Sequence, residues 1–442
     1  MRFAFTLAIA LVIVSTGFSQ SKPPNVVMIV SDDQGWGDYS FMGHPQIKTP
    51  HLDKLASQSF VYRRGYVPSS LCCPSLASLL TGKYPHQTKV TGNEPPAPEG
   101  KGMAQRYKDP AFLAQVNRLN GFMAEHPRIP AELGKAGYLS FQTGKWWAGN
   151  FKTGGFTHGM SHGDQAIGGR HGDEGLKIGR QGMKPIFDFM DNAADKPFFI
   201  WYAPMLPHSP HNPPERFLAK YRDKTPSIHL ARYWAMCEWF DETCGELLGY
   251  LDKKGIADNT LVVYVTDNGW IQQENNPNYR TDSKQSPYDG GLRTPIMLRF
   301  PKKISPRMDD TPVSSLDIAP TIYKVCGLPV PNGLNGVDLR DAKAVASRES
   351  IFGSCFLHNA VDIERPDKNL TWRWCVQGDW KLIVPNKTNA KGGIKIPGEP
   401  VVELYNIKDD PQENKNLASS KSDMVKKLTV SLDGWWNPQT KP

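Results

Sequence analysis

Asn25–Asp38 reads NVVMIVSDDQGWGD, a short uncharged run rich in branched apolar residues that breaks into a polar cluster. A run of that length, apolar on both faces, is expected of a buried parallel strand, with the cluster at its C-terminal end. The same texture recurs at Phe198–Ala203 (FFIWYA), at Thr260–Thr266 (TLVVYVT, followed by Asp267-Asn268-Gly269) and at Pro295–Phe300, preceded by DGGLRT. Helical patterns lie between these runs. In His229–Leu251, residues Tyr233, Cys237, Phe240, Cys244, Leu247, Leu248 and Leu251 recur at helical spacing, and Ser315–Val325 reads as another helix. Strands alternating with helices predict an α/β fold: a large, mainly parallel sheet covered by helices on both faces. In such sheets the groups just past the strand C-termini share one crevice. Asp32, Asp33, His208, Asp267 and Asn268 all hold that position.

The texture changes after Gly336. From Ser350 come aromatic-rich short strands, including Trp372–Val376 and Trp380–Val384, then a basic Gly/Pro loop through 386–400, the stretch ELYNIKDDPQENKNLA and a terminal helix. This predicts a smaller C-terminal α+β subdomain over residues 346–442, behind a larger α/β domain at 21–345. Residues 1–20 read as an export signal. Arg2 is the positive end, Phe3–Val14 an apolar stretch too short to span a bilayer, and Ser15, Thr16, Gly17 and Ser19 the small and polar residues of a cleavage region. The expected location is secreted or periplasmic, with no membrane partner.

The 442 residues exceed what one small core needs, and 39% hydrophobic with 22% charged residues is an ordinary globular composition. Net charge is +8, but the basic residues are dispersed and no zinc-ligand spacing occurs, so nucleic acid is not an expected partner. Twelve tryptophans serve a core and also suit stacking on sugar rings. The seven cysteines are an odd number, which fits one being consumed by other chemistry and also fits a set of buried thiols.

Ser70–Lys83 reads SLCCPSLASLLTGK. Cys72 stands just before a proline-initiated helix, where a helix N-terminus favours negative charge and lowers a thiol pKa. Two readings follow from the residues alone, a nucleophilic thiol and a buried structural one. The segment resembles the signature Cys-x-Pro-Ser-Arg-x-x-x-Leu-Thr-Gly-Arg of the type I, formylglycine-dependent sulfatases of the alkaline-phosphatase superfamily. The likeness continues in order through PNVVMIVSDDQGWGD, GYLSFQTGKWWAG, APMLPHSPH, VVYVTDNG, KQSPYDGGLRTP, SSLDIAPTI and ELYNIKDDPQENKNLA.

That resemblance implies a sulfuric ester hydrolase in which Cys72, and not Cys73, is oxidised to formylglycine by a maturation enzyme. It implies one Ca2+ per chain held by Asp32, Asp33, Asp267, Asn268 and the modified Cys72, a set of hard oxygen ligands. It implies that Lys145 and Lys284 bind sulfate and that His208 acts on the leaving group, with His211 nearby and Arg293 in support. The implied substrate is a sulfated small molecule or saccharide. Loops 93–128 and 161–180 are expected around the mouth.

Three positions depart from the pattern. Leu76 replaces the signature Arg, Lys83 replaces the second Arg, and Trp147 stands where the family has a His after Gly-Lys-Trp. His158 and His162 are candidates to take that histidine's place. Two other activities share the motif set: hydrolysis of phosphodiesters or phosphonates, and binding of carbohydrate without catalysis.

Overall fold

The apolar runs form strands because their β-branched and aromatic side chains fill both faces of a pleated sheet, and helices cover them on either side. The computed structural model describes residues 22–392 and 399–438. The export segment at 1–20 and part of the loop at 386–400 lie outside the described residues. Nine strands make the main sheet: β1 (Asn25–Ser31), β2 (Phe60–Tyr66), β3 (Leu139–Gly144), β4 (His158–Gly159), β5 (Phe198–Ala203), β6 (Thr260–Thr266), β7 (Arg293–Arg299), β8 (Arg307–Asp309) and β9 (Val313–Ser314). Their order is β4-β3-β5-β1-β6-β7-β2-β8, with β9 also on β2. β1 lies at the centre, parallel to β5 and β6.

β1 shows why the fold has two cores. Val26, Met28 and Val30 face the helices Cys72–Thr81, Ile129–Lys135 and Ile318–Val325. Val27 and Ile29 face Pro50–Ser57, Lys184–Asn192 and Ile228–Lys253. Alternation along one buried strand thus feeds both layers. The long helix carries Cys237 and Cys244 buried, as its periodicity requires, and Ser227 caps it by accepting from the Leu230 N–H at 3.2 Å.

Three details differ from the sequence reading. β7 runs antiparallel to both β6 and β2. The connection 267–292 holds only the short turn Asp289–Leu292 and no crossover helix, so the chain re-enters the sheet from the edge it left. β2 and β3 were not evident as strands. Finally, the helix begins at Cys72 itself, with Leu71 as the N-cap, and Pro74 is its third residue. Proline is tolerated there because first-turn N–H groups have no intrahelical acceptor.

Among the described residues the C-terminal part holds a four-stranded antiparallel sheet, β10 (Ile351–Phe356), β11 (Leu370–Gln377), β12 (Trp380–Pro385) and β13 (Glu403–Asn406). One face packs Cys375, Leu382 and Leu404 under Leu428 and Leu432 of helix Ser422–Trp435. The other face packs Trp372, Trp374, Ile383 and Tyr405 against Tyr66, Val67 and Leu292 of the main domain. No helix among the described residues is long and apolar enough to cross a membrane.

Gly144 closes β3 at φ +74, and a Cβ there would come within 1.9 Å of the Ala203 carbonyl oxygen, which accepts the next residue's N–H. Gly144→Ala should therefore lower stability by more than ~1 kcal/mol in urea unfolding. An unchanged midpoint would show that the strand end relaxes freely.

Candidate metal and sulfate site

The ends of β1 and β6 are tied to each other before any side chain is considered. The Asp267 N–H donates to the Ser31 carbonyl (2.9 Å), and the Asp33 N–H donates to Asp267 Oδ1 (3.1 Å). Asp33 sits at φ +61, a strained conformation that turns its side chain into the crevice. One ligand atom each from Asp32, Asp33, Cys72 and Asp267 falls within 4.8 Å of the others, all four residues buried. Asn268 donates from Nδ2 to Asp33 Oδ1 (2.7 Å), which leaves its Oδ1 free.

Two lysines enter this crevice. Lys145, just past β3, places Nζ 2.6 Å from Asp32 Oδ1, 3.2 Å from Cys72 Sγ and 3.9 Å from Asp267 Oδ2. Lys284 places Nζ 2.7 and 2.8 Å from the two Asp33 oxygens. His208, past β5, has Nδ1 2.6 Å from the Ser209 carbonyl and Nε2 3.3 Å from Asp33 Oδ2. A carbonyl only accepts, so Nδ1 carries the proton, and in the neutral ring Nε2 is the bare nitrogen turned to the site. All seven positions singled out from sequence, together with Cys72, are thus within one pocket.

Burial governs the charges. It would raise Asp33, but Lys284, His208 and Lys145 together hold that carboxyl well below the usual range. Asp267 is pushed well above its usual value by burial and then by Asp32. Burial would lower both lysines, yet Asp32 and Cys72 hold Lys145, and Asp33 holds Lys284, above the usual range. Burial depresses His208. It also pushes the Cys72 thiol up to about 12 against the opposing pull of Lys145 and Lys284. The helix N-terminus therefore does not yield a low-pKa thiol here, and desolvation outweighs it.

The donor set fits a hard divalent cation. Asp32 Oδ2, Asp267 Oδ2 and Asn268 Oδ1 are all buried without a hydrogen-bond partner. Three orphaned oxygens in one crevice are costly unless a cation takes them. Sulfur is the odd member of the set, since soft thiol ligands suit zinc or copper and hard oxygens suit calcium.

The remaining histidines resolve differently from the sequence reading. His158 bonds Thr157 (2.8 Å) and packs on Phe189, while His162 accepts from the Asp164 N–H (3.0 Å) and lies 3.8 Å from Asp173. His162 keeps to its own loop, and His158 leans on the helix Lys184–Asn192. His171 and His358 are the rings that feel Lys145, although sequence gave no sign of them. His171 comes from a left-handed residue (φ +53) in the 161–180 loop, and His358 follows β10 of the other sheet. His211 packs on Tyr233 and Trp270 with Nε2 buried and unpartnered. Trp147 is 7% exposed and packs on Trp146, its Nε1 unpartnered, and Leu76 is wholly in the core. Arg293 stacks on Trp36 at 4.0 Å and lies 3.9 Å from Asp289.

Comparison with known proteins places this pocket. A family model described as sulfatase matches residues 24–328, and one described as N-sulphoglucosamine sulphohydrolase, C-terminal, matches 279–435. Human arylsulfatase A is 29% identical over 378 residues, covering 74% of this chain and 69% of that protein. Human N-acetylgalactosamine-6-sulfatase is 26% identical over 362 residues, covering 72% and 65%. N-acetylgalactosamine-6-O-sulfatase of Bacteroides thetaiotaomicron is 23% identical, covering 93% of each chain. Among solved structures, Ps i-CgsB in complex with k-i-k-neocarrahexaose superposes with a TM-score of 0.73 at 23% identity, covering 95% of this chain and 94% of that one. The phosphonate monoester hydrolase of Agrobacterium radiobacter shares the fold at a TM-score of 0.66 and 16% identity, covering 93% and 96%. The sulfatase match runs from the residue before β1 past the helix Ile318–Val325 and takes in Asp32, Asp33, Cys72, Lys145, His208, Asp267, Asn268 and Lys284. This chain belongs to the sulfatase family.

Proposed function

We propose that this protein hydrolyses sulfate esters carried by saccharides, with a formylglycine made from Cys72 as nucleophile and one Ca2+ held by Asp32, Asp33, Asp267 and Asn268. The observation that carries the reading is the trio of buried, unpartnered oxygens, Asp32 Oδ2, Asp267 Oδ2 and Asn268 Oδ1, in the crevice that also holds Cys72 Sγ. Replacing that sulfur by the oxygens of an aldehyde hydrate would make the ligand set uniformly hard. Saccharide is the substrate class because relatives are named for N-acetylgalactosamine-6-sulfate, and one protein of the same fold was solved with its substrate D-glucosamine-2-N,6-O-disulfate.

A cation held by Asp32, Asp33, Asp267 and Asn268 would supply positive charge against the sulfate oxygens. Lys145 and Lys284 hold the remaining sulfate oxygens. At the first turn of the helix, the hydrate that formylglycine would form at residue 72 would supply the attacking hydroxyl, its proton passing to a neighbouring carboxylate as the bond from sulfur to the alcohol breaks. His208 Nε2, when protonated, gives its proton to the departing oxygen, and the ring is oriented for this by the Nδ1–H bond to the Ser209 carbonyl. The second hydroxyl would then pass its proton to the bare His208 Nε2 as sulfate leaves, restoring the aldehyde for water to rehydrate, a path closed to a simple serine ester. On this reading residues 21–345 are the catalytic domain and 346–442 a supporting subdomain. The protein is exported, and its partners are the sulfated substrate and a formylglycine-generating enzyme.

Peptide mass analysis of Gly65–Lys83 from natively produced protein should find an aldehyde at residue 72. A free thiol in fully active enzyme would reject the nucleophile. Calcium at ~100 times its Kd should add ~2.7 kcal/mol of unfolding free energy, lost on chelation and absent in Asp267→Asn. Lys284→Ala should cut kcat on an aryl sulfate by ~10²–10³-fold, and faster turnover of a phosphodiester than of any sulfate ester would move the activity to that class.

A further inference from the structure

A second set of buried charges lies outside the catalytic pocket. Lys381, on β12 of the C-terminal sheet, has no exposed side-chain surface and places Nζ 2.7 Å from Asp289 Oδ1 and 2.8 Å from Glu413 Oε1. Asp289 and Glu413 are 1% and 2% exposed. Glu413 Oε2 accepts the Asp289 N–H at 2.5 Å, the Tyr66 hydroxyl donates to Asp289 Oδ2 at 3.0 Å, and Arg293 lies 3.9 Å from the same oxygen.

Asp289 opens a turn that lies against the stretches carrying Asn268 and Lys284. The Gly291 carbonyl accepts the N–H of Gly269, the residue after Asn268 (2.8 Å). A Cβ on Gly290 would come within 2.4 Å of the Asp282 carbonyl oxygen, and one on Gly291 within 2.1 Å of that of Ser283. The turn thus lies backbone to backbone on the stretch leading into Lys284, with no side chain between to absorb a shift. The Gln285 N–H donates to the Ser70 carbonyl (2.8 Å) and Ser70 Oγ to the Ser286 carbonyl (2.6 Å), two residues ahead of Cys72. A fully buried ionic triad seldom adds more stability than apolar residues of the same volume, whereas its hydrogen bonds fix direction.

We propose that Lys381 and Glu413 of the C-terminal subdomain are positioning residues, which set Lys284 for sulfate by fixing Asp289. This rests on the role given to Lys284 above. The test is a double-mutant cycle on binding of inorganic sulfate to the calcium-loaded, full-length protein, measured by calorimetry, with turnover of an aryl sulfate recorded beside it. Lys381→Met should weaken sulfate by about tenfold or more, and should add little once Lys284→Ala is present. Should Lys381→Met fail to fold, Glu413→Gln enters the same cycle with the same expectation. Losses that multiply independently of Lys284 overturn the proposal, because a merely structural defect would act equally in both backgrounds. Sulfate binding coupled in this way, in a protein that cleaves no sulfate ester, would leave the positioning role standing and remove the assigned reaction.

Discussion

The mutual repulsion of Asp32, Asp33 and Asp267 is the constraint around which the crevice is built. Two carboxylates about 4 Å apart repel by ~4 kcal/mol at an effective dielectric of about 20, and burial adds several kcal/mol for each ion. Each nearby feature answers this. Lys145 takes Asp32, Lys284 takes Asp33, Asn268 donates its amide to Asp33, and backbone N–H groups take Asp267 Oδ1. The answer is incomplete in the chain alone, since Asp267 remains pushed up and three oxygens have no partner. A divalent cation would answer all three oxygens, with twice the charge of a lysine per contact.

The sheet exists to hold those three carboxylates against one another. Strands β1 and β6 pair in register from Asn25↔Thr260 to Ser31↔Thr266, so the residues following each strand emerge side by side. This parallel pairing, sealed by helices on both faces, excludes water from the strand ends, and the same exclusion raises the Cys72 thiol. A buried thiol of that kind is a poor nucleophile and a poor calcium ligand.

Much of this was legible in the sequence because its signals are local. Runs such as NVVMIV and TLVVYVT have no polar face, and the acids stand directly after them. β2 hid because Arg63 and Arg64 sit at a register shift between Tyr62 and Gly65, and β3 because Ser140 and Thr143 satisfy their polarity with partners far along the chain, Thr143 Oγ1 donating to the Trp201 carbonyl. The direction of β7 depends on what fills residues 267–292, which periodicity does not report. His171 needs a left-handed backbone, His358 arrives from a different sheet, and Lys381 meets Asp289 from 92 residues away. None of these has a spacing to read.

The departures from the family pattern acquire a physical meaning in this setting. Leu76 lies in the same buried apolar cluster as Leu79, Leu80 and Val26. Trp147 fills the adjoining wall against Trp146 and presents an N–H without a partner. On the proposed reading, three carboxylates set against two lysines and a divalent cation would leave one net positive charge, and two once His208 is protonated for its step. A singly charged ester, a sulfate monoester or a phosphodiester alike, would offset the first of these charges.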